Sequence, residues 1–304
     1  MGNEENKTKM TSFTMVFDGN VESAKEETQK IEKNLTTLWD KQKMESLYGY
    51  YDEDGKEIVP RQYQEVRELK EGMIAVRSHT RWGFYNVYGE LAIPFDYTDA
   101  DSFCEGLACV RQKGKYGFID KSGNVVIPFK YDSARCFSEA MALVSIKDKY
   151  GYINKNGEVM IPIEKTRFSS DFHEDLAWGW GPNGGVGYFD KSGKVVIPYE
   201  YRFGSDFQNE LAAVKKGKLW GLINKQNEVI VPFEYQLIGH LVCGRRLVKK
   251  DDKYGFVDSQ GKLVIDVKFD YAESFDSYDE TSLVEIGDKC CSIDIDGKLL
   301  EEDY

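Results

Sequence analysis

"KYGFIDKSGNVVIPFKYDSA", residues 115–134, decides how this chain is read, because close variants of it return from Tyr48 almost to Tyr304. A catalytic motif is needed once, whereas a stretch that recurs along a chain is a unit of architecture. An aromatic-Gly step sets the phase. Its glycines are Gly49, Gly83, Gly117, Gly151, Gly187, Gly221 and Gly255, with Cys291 in the eighth slot, at intervals of 34 or 36 residues.

Three residues after each slot stands Asp or Asn: Asp52, Asn86, Asp120, Asn154, Asp190, Asn224, Asp258 and Asp294. Three further on stands Gly, or once Asn227. Asp or Asn opens a turn by binding the backbone just ahead of it, and Gly supplies the positive φ that closes a hairpin. "DKSG" is therefore expected to be a hairpin turn between two β-rich runs, "YGFID" and "VVIP". Pro60, Pro94, Pro128, Pro162, Pro198 and Pro232 are expected to end the second run, since proline cannot donate to a ladder. An aromatic usually follows three residues later, and then a run such as "FSEAMALV" (137–144) that reads as another strand. Each unit is expected to be an antiparallel meander of about three strands plus an irregular connection.

These features resemble the WG-repeat (KWG-repeat) family of bacterial repeat proteins. The best copies are RWGFYNVYGELAIPFDYTDADSFCEGLACV (81–110) and KYGFIDKSGNVVIPFKYDSARCFSEAMALV (115–144), and the resemblance covers roughly residues 47–300. It implies a bacterial interaction scaffold with no shared catalytic residues. Val186 in place of the aromatic and Cys290-Cys291 in place of the whole step depart from the pattern.

The fold expected is an all-β tandem repeat over 47–304, with eight units and the last incomplete. An open, twisting array is favoured, because no strand is evidently missing at either end; the alternative is a closed, propeller-like ring. Residues 1–19 read as a partly disordered arm. Residues 20–46 carry a helical pattern, with Asn20 as N-cap and Val21, Ala24, Ile31, Leu35 and Leu38 on one stripe. Capping the first repeat is its expected role, and association with a partner's helix is the alternative.

The chain has 304 residues, 41% hydrophobic and 30% charged, a soluble globular balance. A net charge of −12 argues against nucleic acid as the main partner. No apolar run approaches the ~20 residues of a membrane span, and the polar start MGNEENKTKMTS lacks a signal-peptide core. The six cysteines match neither a metal-ligand pattern nor a disulfide scaffold, so free thiols in the cytoplasm are expected.

No catalytic, cofactor or metal set emerges. The three histidines, His79, His173 and His240, fall in different units. WGWGPNGGVG (178–187) lacks the context of a phosphate loop and reads as an insertion in a hairpin turn. Glu71, Glu105, Glu139 and Glu174 form one row and Lys121, Lys155, Lys191 and Lys225 another; both read as solvated turn residues. The recurrent tyrosines read as filling between units.

Departures from the repeat are more informative. The fourth copy brings Trp178 and Trp180 beside the insertion, after His173, and the sixth places Arg245 and Arg246 where others have Leu-Ala or Met-Ala. Trp and Arg are enriched at interface hot spots, so these five residues are the candidate partner-binding positions. The function expected is a non-enzymatic scaffold that binds another protein. The alternative is a glycan- or cell-envelope-binding module, which would present its aromatics in exposed rows.

Overall fold

The computed structural model describes the strand Leu38–Trp39 and residues 46–52, 54–165, 169–287 and 289–300. Among these the chain is all β, in eight successive antiparallel sheets, each a meander of contiguous strands. The third unit is typical. Its strands Asp99–Ala100, Ala108–Gln112, Lys115–Ile119 and Val125–Tyr131 pair in that order. The unit thus has four strands where the sequence suggested three, the first contributing two residues. The sheet is also out of phase with the sequence repeat: the copy at 115–144 supplies the last two strands of one sheet and the first two of the next. The helix expected over 20–46 lies outside the described residues except at Leu38–Trp39 and Ser46, which are strand; Leu38 and Trp39 pair with Leu47 and Ser46.

The glycine of the aromatic-Gly step is required by proximity, not by φ. A Cβ on Gly117 would lie 2.6 Å from the Ile127 carbonyl oxygen and 3.0 Å from the Phe129 nitrogen. The fourth strand bulges over it, since Tyr116 faces Tyr131 while Phe118 faces Ile127. The prolines sit in this bulge and do not end the strand, which runs on through Pro128 to Tyr131. Proline is tolerated there because the fourth strand is a sheet edge, and a missing donor on the edge also discourages pairing with other chains. In the eighth unit Cys291 fits the slot because the strand after the turn is reduced, among the described residues, to a bridge between Ile293 and Leu299.

Both turns follow the sequence. Asp120 Oδ1 accepts from the N–H groups of Ser122 and Asn124 at 2.9 and 2.8 Å, and Gly123 has φ +81°. The tighter turn between the second and third strands has positive φ at both central residues, +49° at Lys113 and +81° at Gly114, as a two-residue type I′ hairpin requires.

No sheet buries its faces alone, so the core lies in the seams. Among the described residues seven buried clusters form, each joining one sheet to the next. Period-two alternation supplies both sides: in the third unit Ala108 and Val110 face the second sheet, while Cys109 and Phe118 face the fourth. Aromatic pairs pin five seams at 4.8–5.1 Å between ring centroids: Phe84–Phe103, Phe118–Phe137, Tyr152–Phe172, Tyr188–Phe207 and Phe256–Phe275. Tyr131 and Phe137 are buried as expected, whereas Tyr116 is half-buried and donates to Asp99 at 2.8 Å. Among the described residues no such cluster joins the eighth sheet to the first, and no sheet combines strands from the two ends. The units follow one another as an open array.

The Glu and Lys rows are not separate solvated turns, as the sequence suggested; they meet across the seams. Glu105 accepts from the Ala140 N–H of the next unit at 3.0 Å and pairs with Lys155 of that unit at 3.0 Å. Glu71 does the same with Gly106 and Lys121, Glu139 with Asp175 and Lys191, and Glu174 with Glu210 and Lys225. As far as the fifth unit, each turn that receives this carboxylate holds the next Glu, so the ladder propagates. Burial pushes the Glu71 carboxyl up, but the hydrogen bonds from Gly106 and Lys121 outweigh it and hold the group below the usual carboxylate range.

These two features give two expected outcomes. Gly117→Ala should cost more than ~2 kcal/mol through the carbonyl clash, while Gly114→Asn, with nothing within 4 Å of a Cβ, should cost under ~1 kcal/mol; urea unfolding at pH 7 compares them. Glu71→Gln should cost about 1 kcal/mol at neutral pH, a half-exposed charged hydrogen bond discounted for solvent. A depressed carboxyl stabilises above its unfolded value and loses that effect as pH falls through its folded value. The gap between variant and wild type should therefore begin to narrow below about pH 4.3, the unfolded value, and shrink further as pH falls; a gap unchanged across that acid range would place the effect elsewhere.

Candidate functional site

The regular pattern fails at the seam between the sixth and seventh units. Leu222 and Leu241 stand where five of the other six seams have an aromatic pair, Asn209 replaces the ladder Glu, and Ser259 replaces its Lys. Asn209 Nδ2 and the Ser259 carbonyl approach at 3.5 Å, the remnant of that rung. The first strand of the seventh unit lengthens to six residues, Leu237–Val242, and pairs with both arginines.

Arg246 occupies the position held by Ala108, Ala142, Ala177 and Ala212 in earlier units and is fully buried. Among the described residues its guanidinium meets no carboxylate, and it is not exposed as a partner-binding position would be. Its Nη2 donates to the carbonyls of Gln208 at 2.8 Å and Leu211 at 3.2 Å, and Nη1 to Gln208 Oε1 at 3.3 Å and the Gly239 carbonyl at 3.5 Å. Burial pushes its guanidinium down to about 10, opposed by the charge of Glu174. Arg245 points the other way. It donates to the Ile295 carbonyl at 3.0 Å and lies 3.7 Å from Asp296, so it clasps the hairpin of the eighth unit.

Beside the irregular seam lies a cleft of about 280 Å³ that crosses three units. Trp178 comes from the fifth; Ser205, Asp206 and Trp220 from the sixth; Gly239 and His240 from the seventh. Trp178 is half-buried and stands on the second strand, opposite Tyr188. His173 Nε2 lies 3.5 Å from Asp206 Oδ2, which ties the fifth unit to the cleft wall. Asp206 Oδ1 is buried and receives no hydrogen bond among the described residues. One unit earlier Asp171 holds the same position, with Arg135 at 3.1 Å. Burial holds the Asp171 carboxyl above the usual range, and Arg135 opposes that shift.

Of the five candidate residues, Trp178 lines the cleft directly. His173 reaches it through Asp206, and Arg246 supports its wall through Gly239 and Gln208. Trp180 lies outside, packed edge-on against Phe203 at 6.1 Å beside the hairpin that carries the insertion, and Arg245 belongs to the next seam. Sequence reasoning missed Trp220, Asp206 and His240. Trp220 was hidden as an ordinary member of the aromatic-Gly row. Asp206 and His240 each precede the seam Phe or its Leu replacement, and that shared position was the available signal. Chemically the cleft offers two indoles, an imidazole and a carboxylate oxygen with unused acceptor capacity. No cluster of three or more His, Cys, Asp or Glu able to hold a metal ion occurs among the described residues.

A comparison with curated proteins gives no match. Among solved structures the chain is similar to Kluyveromyces lactis Hsv2p, with 9% identity and TM-score 0.45 over 76% of this chain and 95% of that one. It is similar to BamB from Moraxella catarrhalis, with 10% identity and TM-score 0.43 over 78% and 86%. The computationally designed Ika8 protein matches with 9% identity and TM-score 0.44 over 78% and 85%. Similarity at this level carries no argument about function. The family model for the WG containing repeat matches residues 48–78, 82–116, 116–150, 150–178, 187–220, 220–254 and 254–290. Its segments repeat the aromatic-Gly phase on which each bulge and seam is built, and the chain therefore belongs to the WG-repeat family.

Proposed function

We propose that this protein is a non-enzymatic repeat scaffold that binds another protein, and that the cleft across the fifth to seventh units is its working surface. The observation that carries this reading is the convergence of Trp178, Trp220, Asp206 and His240 from three units at the place where the repeat breaks its own rule. Such departures cost regularity, and chains retain that cost where a surface is used. A half-buried indole beside a carboxylate with a spare acceptor suits an aromatic or cationic side chain of a partner. That the scaffold is non-enzymatic is part of this proposal.

Burial of the aromatics favours a protein partner over a glycan. Tyr63, Tyr97, Tyr131, Tyr201 and Tyr235 fill seams, each no more than 6% exposed, instead of forming an exposed row. A cytoplasmic setting, with neither nucleic acid nor membrane as partner, remains part of the proposal on the strength of the acidic charge.

The test is affinity capture with the intact chain and with Trp178→Leu/His240→Ala, which keeps apolar bulk at the seam. The double variant should unfold within a few degrees of wild type and lose one specific partner by about 30-fold or more in affinity, the ~2 kcal/mol scale of a hot spot. Equal capture by a well-folded double variant would move the working surface elsewhere on the array.

A further inference from the structure

Two cysteines from successive units meet at the surface end of the seam between the third and fourth sheets. Cys104 follows Phe103 and Cys136 precedes Phe137, so they hold different positions in the repeat. They meet because the residue after the Phe of one unit faces the residue before the Phe of the next, the relation that also brings His173 to Asp206. Both thiols are directed at one acceptor, the Ser102 carbonyl oxygen, at 3.8 Å from Cys104 Sγ and 3.6 Å from Cys136 Sγ. Each thiol also acts directly on the proton affinity of the other. Cys104 lines an open cleft of about 690 Å³ with Glu68, Lys70, Glu71 and Glu105, so a small solute can reach its sulfur. Cys109, close in sequence, is buried and has no such access.

We propose that Cys104 and Cys136 form a redox-active dithiol that a small disulfide, such as oxidised glutathione, converts to a disulfide clamp between the third and fourth units. The reaction balances without another oxidant. The Cys104 thiolate attacks one sulfur of oxidised glutathione; that S–S bond breaks, one glutathione leaves as thiolate, and Cys104 carries a mixed disulfide. Cys136 then loses its proton to solvent and attacks the Cys104 sulfur, expelling the second glutathione. Two protein thiols are oxidised and one glutathione disulfide is reduced to two thiols. Bond formation needs the sulfurs to close to about 2.05 Å by side-chain rotation away from the Ser102 carbonyl that both now face.

The surroundings assign the roles. The hydrogen bond from Cys136 holds the Cys104 thiol below the ordinary range; burial opposes this, Lys70 reinforces it, and Glu71 and Asp101 oppose it. The same hydrogen bond, with burial, pushes Cys136 up. Cys104 is the attacking thiol and Cys136 the resolving one.

The intact chain is titrated with oxidised glutathione at pH 7.5, free thiols are counted, and peptides are mapped without reduction. Free thiols should fall from six to four, with a Cys104–Cys136 linked peptide as the first product and a melting midpoint that rises and returns on reduction. Cys136→Ser should stop at a glutathione mixed disulfide on Cys104, and Cys104→Ser should leave Cys136 unmodified. A wild-type chain that accumulates the mixed disulfide without the linked peptide overturns the proposal. So does one that oxidises at Cys290 or Cys291 while Cys104 and Cys136 stay free.

Discussion

A carbonyl oxygen pressed against a glycine sets the shape of every complete unit. At Gly49, Gly83, Gly117, Gly151, Gly187, Gly221 and Gly255 a Cβ would fall 2.5–2.7 Å from the opposing carbonyl, closer than any side chain tolerates. That approach lets the fourth strand bulge. The bulge keeps the proline off the ladder and turns the following Tyr or Phe into the seam. The seams hold the buried clusters, so the packing of one sheet on the next rests on this contact. Each unit is stabilised chiefly by its neighbours, which makes the array's stability a sum of interfaces.

The seams are alike in plan and unlike in chemistry. Five are pinned by aromatic pairs, and the Glu–Lys ladder crosses four of them, from the second unit to the sixth. At the sixth seam the aromatic pair and the ladder vanish together, and a buried guanidinium takes over. Without a carboxylate partner Arg246 relies on backbone carbonyls and Gln208, a costly arrangement in a low-dielectric seam. Arg245 then reverses the ladder's polarity, with a cation on the earlier unit and acceptors on the later hairpin. The cleft lies beside this change of interface, and we connect it with binding for that reason.

Much of the fold was legible in the chain because its signals are local. An Asp or Asn three residues before a Gly bonds forward and closes a turn wherever it occurs, and all eight turns do so. The repeat period and the burial of Tyr131 and Phe137 follow from periodicity, whereas the boundaries of each sheet and its short first strand do not. The prolines misled, because a ladder-breaker ends a central strand but is tolerated at an edge, and edges are assigned only when sheets form. The site was legible in part. Trp178 betrayed itself by breaking the repeat, whereas Trp220 conforms to it.

By itself the sequence determined the repeat period, its turns and the number of copies, all of which rest on contacts within a few residues along the chain. Only the tertiary structure decided which rows meet. Glu105 and Lys155 lie far apart in sequence, as do Cys104 and Cys136, and each pair joins because neighbouring sheets stack one unit on the next. The same stacking buried Arg246 and left Arg245 at the rim, although the two are adjacent in the chain. Alternation along a strand sends neighbours to opposite faces, and what each face meets is a property of the stack.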